Sequence, residues 1–332
     1  MGLAVTEPDS GVSIVNGHAL FEPAATSSST AAARPSLPWF TRLVPRFREW
    51  DAKELAAHSA QCGVTYARAF SYQTAMVHGP HYLQWMLRKF LEAGGILRAP
   101  ESFEKLADVW RSAGEDEAPD AVVNCTGLGG ARLSDVPDAA STLQPDRGQT
   151  VRIRCPLITD IWRAPNVSPG SMPVYILPRG DGTVVLGGTY ARGDWSTAHD
   201  AAVAKSILER CARLLPLLRD PRNFEVLGHS AGLRPARRTG NQRIEVDESF
   251  AAKNTQKGGD ASSSAVPLVV HCYGHGGDGF QSSWGSAFVV AQLIHQARPQ
   301  LFAASRSFQL QYTQLKTGVM QRAMSKDLFA KL

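Results

Sequence analysis

The sequence predicts a fold that mixes α and β elements, and three stretches carry that expectation. Residues 267–285 run from a short apolar, β-branched segment (Pro267, Leu268, Val269, Val270) through a glycine-rich turn into a helix with apolar positions Trp284, Phe288, Val289, Leu293 and Ile294. Residues 173–178 and 183–190 read as strands joined through Gly180-Asp181-Gly182, a hairpin signal. Residues 81–93 read as a helix, with Leu83, Trp85, Met86, Leu87 and Phe90 as its apolar face and Gly94-Gly95 as its stop.

The remaining elements follow in order. Residues 23–36 are low in complexity and read as a surface loop, and 39–47 and 52–58 as short helical or turn segments. After the helix at 81–93, residues 101–111 suit a second, amphipathic helix. The strand at 121–124 ends in Thr126-Gly127, a turn that brings backbone toward a ligand. From 149 to 190 the pattern is strand-like, 206–218 suits a helix, and the polar stretch 249–265 reads as an exposed loop between strands. No internal repeat is visible.

Composition narrows the function classes. With 332 residues, 43% hydrophobic and 20% charged, the chain has material for one large domain or two moderate ones. The formal charge is +5, but Lys and Arg are scattered, the densest cluster being Arg234, Arg237 and Arg238. Without a basic stripe and interleaved aromatics, nucleic acid is not an expected partner. The five cysteines, Cys62, Cys125, Cys155, Cys211 and Cys272, are isolated along the chain and read as free thiols of a reducing compartment. His271 and His275 fall in a glycine loop rather than on a helix, so no structural metal is expected. No apolar run or leader pattern suggests a membrane span or a secretory signal.

Gly274, Gly276 and Gly279 spell G-x-G-x-x-G, the dinucleotide fingerprint. That fingerprint opens a βαβ unit, with another strand and an acidic residue about 20 residues on. Here one helix follows, and then a polar tail from Arg298. The match therefore reads as a cofactor-facing strand, loop and helix near the C-terminal end, with a plain tight turn as the bland alternative. Unpaired N–H groups and the helix dipole at such a loop favour an anion or an electron-rich ring edge.

Six words in register carry a family resemblance: V-V-N-C-T-G-L-G-G at 122–130, R-G-Q-T-V at 147–151, Y-I-L-P-R at 175–179, L-G-G-T-Y-A-R-G-D-W at 186–195, G-L-R-P-A-R-R at 232–238 and H-C-Y-G-H-G-G-D-G at 271–279. With the upstream segments 63–66 and 77–85, the chain resembles the D-amino-acid oxidases over roughly residues 10 to 300. The resemblance implies a Rossmann-like FAD-binding domain from 80–140 and 232–300, and a mixed-sheet substrate domain from 13–79 and 141–231. Residues 1–12 would be a remnant or linker, and 301–332 a tail. It also implies a strand, a G-x-G-x-x-G turn and a helix ahead of Met1, so the FAD-binding domain is expected to be incomplete. The alternatives are a truncated product, or a non-catalytic relative unable to retain FAD.

The activity so implied is oxidative deamination of D-amino acids to 2-oxo acids, with NH3 and H2O2, by hydride transfer to flavin. No catalytic side chain is expected, because the flavin is the electron sink and positioning is the protein's task. Arg234 matches the arginine that holds the substrate carboxylate, and its planar fork suits that role, whereas Arg237 and Arg238 suit surface ion pairs. Tyr175 and Tyr190 match tyrosines whose hydroxyls contact the same carboxylate. A two-residue hairpin turn would place them on one face of the ribbon, a three-residue loop without a bulge on opposite faces. Gly277 matches a position whose carbonyl receives the substrate amine. Thr126, Gly127, Gly276, Asp278, Gly279, Phe280 and Gln281 match the flavin-side turns.

Tyr190 stands where D-aspartate oxidases resemble one another in an arginine, which favours neutral D-amino acids. Arg192, of the same strand parity, keeps D-aspartate open, and a glycine or sarcosine oxidase is a further alternative. Asp278 would oppose charge on a reduced flavin unless it points to solvent, and His275 reads as a packing residue rather than a base. Ala330-Lys331-Leu332 fits the pattern of the peroxisomal address S-K-L, so the expected location is the peroxisome and an import receptor is an expected partner, beside D-amino acid and O2. A homodimer is left open.

Overall fold

The structure is a computed structural model that describes residues 2–23, 37–111, 119–165, 172–250 and 267–302. Twelve strands are assigned among these residues: β1 (Val12–Phe21), β2 (Arg48–Glu49), β3 (Arg68–Val77), β4 (Ala121–Asn124), β5 (Leu143–Arg154), β6 (Ile161–Ala164), β7 (Val174–Pro178), β8 (Thr183–Gly187), β9 (Ala191–Arg192), β10 (Glu225–Arg237), β11 (Arg243–Val246) and β12 (Leu268–Tyr273). By packing, the chain divides into one unit of Met1–Ala99, Arg147–Ala191 and Trp195–Leu233, and a second of Pro100–Asp146, Arg192–Asp194 and Arg234–Leu332. The helix Gly79–Glu92 goes with the first unit, where Tyr82 and Trp85 pack with Val12 of β1. The polar stretch 249–265 lies, from residue 251, outside the described residues, as do the last thirty residues with Ala330, Lys331 and Leu332.

The first unit is organised by a large mixed sheet in the order β10-β5-β8-β7-β6-β1-β3-β2. β1 runs antiparallel to β3, pairing Val12 with Val77, and parallel to β6, pairing Gly17 with Ile161. The helix Ala201–Leu214 covers the sheet with Ala204, Ile207, Cys211 and Leu214, an i, i+3, i+7, i+10 stripe. Against it pack Leu20, Ile153, Ile176 and Leu186, all fully buried. Each such side chain contributes about 1.5–3 kcal/mol of burial.

Helix ends follow local chemistry. The helix expected over 206–218 starts at Ala201 because the Asp200 carboxylate accepts from the N–H groups of Ala202 and Val203, and it yields to a 3₁₀ turn at Pro216. The helix Ala52–Cys62 opens on a reciprocal capping box of Asp51 and Glu54 and closes on Gly63 at φ 67°. The helix expected over 101–111 contracts to Asp108–Arg111. The Asp135 carboxylate takes the N–H groups of Leu106 and Ala107, and Ser134 donates to the Glu104 carbonyl, so bonds that would continue a helix go elsewhere. Of the apolar face expected on the helix Gly79–Glu92, Trp85 is buried, while Leu83, Met86, Leu87 and Phe90 are exposed. No described helix is long and apolar enough to cross a membrane.

The hairpin is in register Tyr175 to Gly187 through Pro178 to Val184, and Arg179 donates to the Thr183 carbonyl. Its loop is the three residues Gly180, Asp181 and Gly182, with both glycines at positive φ and the Asp181 carboxylate accepting from Thr183 N–H and Oγ1. Of the two turn lengths the sequence leaves open, the three-residue one is formed. Tyr190 lies beyond the end of β8, so strand parity does not place it on the face of Tyr175.

The second unit holds a three-stranded sheet in the order β11-β12-β4. β12 is parallel to β4, with Leu268 opposite Ala121 and His271 opposite Asn124, and antiparallel to β11. The helix Gly279–Ala297 follows β12 after the glycine loop. Val122, Leu133, Val136, Val269 and Tyr273 are buried together with Phe250 beneath this sheet.

Candidate functional site

The two turns singled out in the sequence leave the same end of two paired parallel strands. Carboxyl ends of parallel strands are where open α/β sheets bind ligands. β4 leads into Thr126-Gly127 and a 3₁₀ turn, Gly127–Arg132, and β12 leads into the loop at 274–278. The in-register pairing of His271 with Asn124 therefore fixes the spacing of both turns.

A chain of buried polar side chains supports them. Asn124 and His271 are 1% and 0% exposed. Asp247 lies 2.8 Å from His271 Nε2, so that nitrogen donates and Nδ1 is left as an acceptor. The Asn124 amide donates to Nδ1 at 3.1 Å, and Asn124 Oδ1 accepts from Thr126 N–H at 3.2 Å and Thr126 Oγ1–H at 2.7 Å. Burial pulls the His271 pKa below its ordinary value, and the bond to Asp247 only partly offsets this, so the ring is neutral. Burial alone would raise the Asp247 carboxyl, but hydrogen bonds from Ser249 and His271 outweigh it and hold the group below the carboxylate range. Arg243 stands 3.6 Å from Asp247 and donates to the Tyr273 hydroxyl at 2.9 Å.

The third part of the site is the end of β10. Pro235 lies under Gly127, where a Cβ would stand 3.4 Å from its ring, and Ala236 bridges to His275. Arg234, half-buried, immediately precedes them. Arg237 lays its aliphatic stem over Gly274, where a Cβ would come within 2.7 Å of Arg237 Cγ, and its guanidinium reaches Asp138 at 3.2 Å. Arg237 is thus committed to structure. The second unit accordingly brings Arg234, Thr126, Gly127 and the loop through Gln281 into one neighbourhood.

Within that loop Gly276 has φ 56°, and Gly277, Asp278, Phe280 and Gln281 are exposed. Asp278 accepts a hydrogen bond from Gln281 Nε2 and, through its carbonyl, from Ser282 Oγ at 2.7 Å. No side chain caps the turn Gly276–Asp278 or the helix start at Gly279. His275 pairs with Ser286 at 2.9 Å, and burial lowers its pKa, so it acts as packing beneath the loop.

Tyr175 and Tyr190 belong to the first unit. The Tyr175 ring lies across Gly187 and Gly188, where a Cβ would meet it at 2.2 and 2.6 Å. Its carbonyl accepts a weak bond from Cys211 Sγ at 3.7 Å. Tyr190 is 39% exposed.

These features fit a flavin. The turns offer backbone rather than bulk, with positive-φ glycines at 127 and 276 and uncapped N–H groups beside the loop, as a planar, electron-rich ring edge requires. Thr126, Gly127 and Gly276 through Gln281 are the residues that would hold it. Sequence reasoning missed Asn124, His271, Asp247 and Arg243. A signal for two of them was present, since V-V-N-C and V-V-H-C each place one polar residue at the same point of an apolar strand.

Comparison with known proteins agrees with this chemistry. The family model described as DAO, FAD dependent oxidoreductase, matches residues 20–293. A D-amino-acid oxidase of Rubrobacter xylanophilus is 33% identical over 296 residues, covering 89% of this chain and 76% of the relative. A D-aspartate oxidase of Homo sapiens is 29% identical over 288 residues, covering 87% of this chain and 71% of the relative. In fold, the chain is similar to the crystal structure of glycine oxidase from Geobacillus kaustophilus, with TM-score 0.59 at 16% identity over 86% of this chain and 72% of that one.

Proposed function

This chain belongs to the DAO family of FAD dependent oxidoreductases, and we propose from that premise that it oxidises neutral D-amino acids to 2-oxo acids, releasing NH3 and passing the electrons to O2 as H2O2. A flavin-dependent enzyme of the amino-acid-oxidase type follows from the family and from relatives that are D-amino-acid and D-aspartate oxidases. A carboxylate-bearing substrate beside the flavin is supported by the gathering of Arg234, the Thr126-Gly127 turn and the loop at 275–281, through the Pro235 contact and the Ala236 bridge.

In this reading the Arg234 fork holds the substrate carboxylate with two parallel charge-assisted bonds. Tyr175 and Tyr190 are further substrate-contacting residues in this proposal on the sequence resemblance alone. The Gly277 carbonyl accepts from the substrate amine, and the carboxylate and amine anchors together orient the α-C–H. Bound FAD supplies the acceptor for the hydride. The amine must be neutral when the hydride leaves, so its proton goes to solvent before that step. His275, bonded to Ser286, is not the base. The loop that holds the flavin edge carries Asp278 on its exposed side, with its carboxylate already accepting from Gln281.

The test uses the full-length chain, its visible flavin spectrum and a peroxidase-coupled assay with D-alanine, D-aspartate, glycine and sarcosine. The expected result is yellow protein that yields peroxide fastest with D-alanine. Preference for D-aspartate would transfer specificity to Arg192, and preference for glycine or sarcosine would replace the substrate class. Folded, colourless protein without activity would overturn the enzymatic reading. A peroxisomal location is part of the proposal, resting on Ala330-Lys331-Leu332. A fluorescent fusion should leave peroxisomes when those three residues are deleted.

A further inference from the structure

The cysteines that are isolated in sequence are not all isolated in space. In the parallel pair β4 and β12, Asn124 stands opposite His271, and the next residue on each segment is a cysteine, Cys125 and Cys272. Successive side chains of a strand alternate faces, so with Asn124 and His271 in contact on one face, Cys125 and Cys272 project together from the other. The two thiols are close enough to perturb each other's titration, Cys125 toward the thiolate and Cys272 away from it. Neighbouring strands lie about 4.8 Å apart, inside the range of roughly 4.4–6.8 Å between Cα atoms that a disulfide spans, so closing one requires no change in strand pairing. Both thiols are free, Cys125 exposed and Cys272 half-buried, whereas Cys62, Cys155 and Cys211 are buried.

We propose that Cys125 and Cys272 are a reversible dithiol–disulfide pair, a modification site for small oxidants of the hydroperoxide class. Cys125 is the attacking sulfur because it is the exposed one. The mutual influence of the two thiols runs the same way, lowering Cys125 and, with burial, keeping the proton on Cys272. The thiolate attacks one peroxide oxygen, the O–O bond breaks, and the departing oxygen takes a proton and leaves as water or an alcohol. Cys125 is then a sulfenic acid. The Cys272 sulfur attacks it, an S–S bond forms, the S–O bond breaks, and hydroxide leaves with the Cys272 proton as water. Two thiols lose two electrons in total and the peroxide oxygens gain them. A thiol reductant reverses the reaction by exchange.

The bond would join the residue before Thr126 to the residue two before Gly274, the roots of both turns of the candidate site. Its formation does not depend on the enzymatic reading, since added hydrogen peroxide suffices.

The experiment treats full-length protein with hydrogen peroxide, blocks remaining thiols with iodoacetamide, and maps peptides by mass spectrometry without reduction. The expected product is a Cys125–Cys272 cross-linked peptide, lighter by two hydrogens than its parts and lost on reduction, with Cys62, Cys155 and Cys211 still able to be alkylated after unfolding. In Cys272→Ser, Cys125 should stop at the sulfenic acid, and dimedone labelling there should rise from undetected to the major product. The proposal is overturned if wild-type Cys125 passes to sulfinic acid with no cross-link, if either cysteine pairs instead with another, or if both remain fully alkylated. Should Cys272→Ser fail to fold, the wild-type map decides alone.

Discussion

Asn124 and His271, 147 residues apart in sequence, meet side chain to side chain at 3.1 Å beneath the turn formed by Thr126 and Gly127. Because His271 must donate to Asp247 through Nε2, its Nδ1 needs a donor, and the Asn124 amide is the group that supplies it. The same amide oxygen then holds Thr126. One side chain thus sets the position of a cofactor turn on one strand against the strand that leads to the other.

Replacing Asn124 with Ala leaves a fully buried acceptor on His271 without its donor, while exposed Thr126 turns to water. The expected cost is about 1–3 kcal/mol of unfolding free energy in urea titration. A double-mutant cycle with His271→Ala should show coupling of about 0.5–3 kcal/mol; additive effects would mean that the contact carries no energy.

Acid should weaken the fold through His271. Its folded pKa lies below 6.5, so the unfolded chain binds a proton that the folded one refuses. The contribution is complete above pH 6.5 and is lost as pH falls below that value toward the folded pKa. Asp247, held below 3.8 by its hydrogen bonds, adds a second loss in stronger acid. Burial lowers His58 and His275 as well, so the measurement is the difference in melting temperature between wild type and His271→Asn across this range. The variant should show a shallower acid slope, and parallel curves would exclude His271 as a source.

Gly187→Ala should destabilise the hairpin, since the new Cβ would stand 2.2 Å from the Tyr175 ring. Overpacking of this kind costs about 1–3 kcal/mol. In a Tyr175→Ala background the same substitution should cost much less, as thermal unfolding of the four proteins would reveal.

Arg234→Ala should lower kcat/KM on D-alanine by at least roughly a hundredfold, the loss of a bidentate charged pair of about 3 kcal/mol. Arg234→Lys, which keeps the charge and loses the fork, should fall between. An Arg234→Ala enzyme with unchanged kinetics would remove the carboxylate clamp from this position.

The strand at 121–124 and the helix after the glycine loop were legible in sequence, because apolar runs and glycines act within a few residues. The glycine loop and the Thr126-Gly127 turn were legible for the same reason, as backbone that other groups approach closely. The hairpin was legible as a hairpin, but its loop length was not, since Gly180-Asp181-Gly182 suits two- and three-residue turns alike and the Asp181 bonds to Thr183 select the longer. The helix expected at 101–111 was shortened by Asp135, a residue far outside any local window.

By itself, then, the sequence determined where the strand at 121–124, the hairpin strands, the helix after the glycine loop and the backbone-lined turns form, through periodicity and the steric freedom of glycine. Only the tertiary structure decided that Asn124 meets His271, that Cys125 stands beside Cys272, and that Arg237 serves Asp138 while Arg234 precedes the cofactor turns. Pairing between segments so far apart is chosen by the register that buries Val122 beside Val269 and pairs Asn124 with His271, a condition on the whole chain that no local stretch contains.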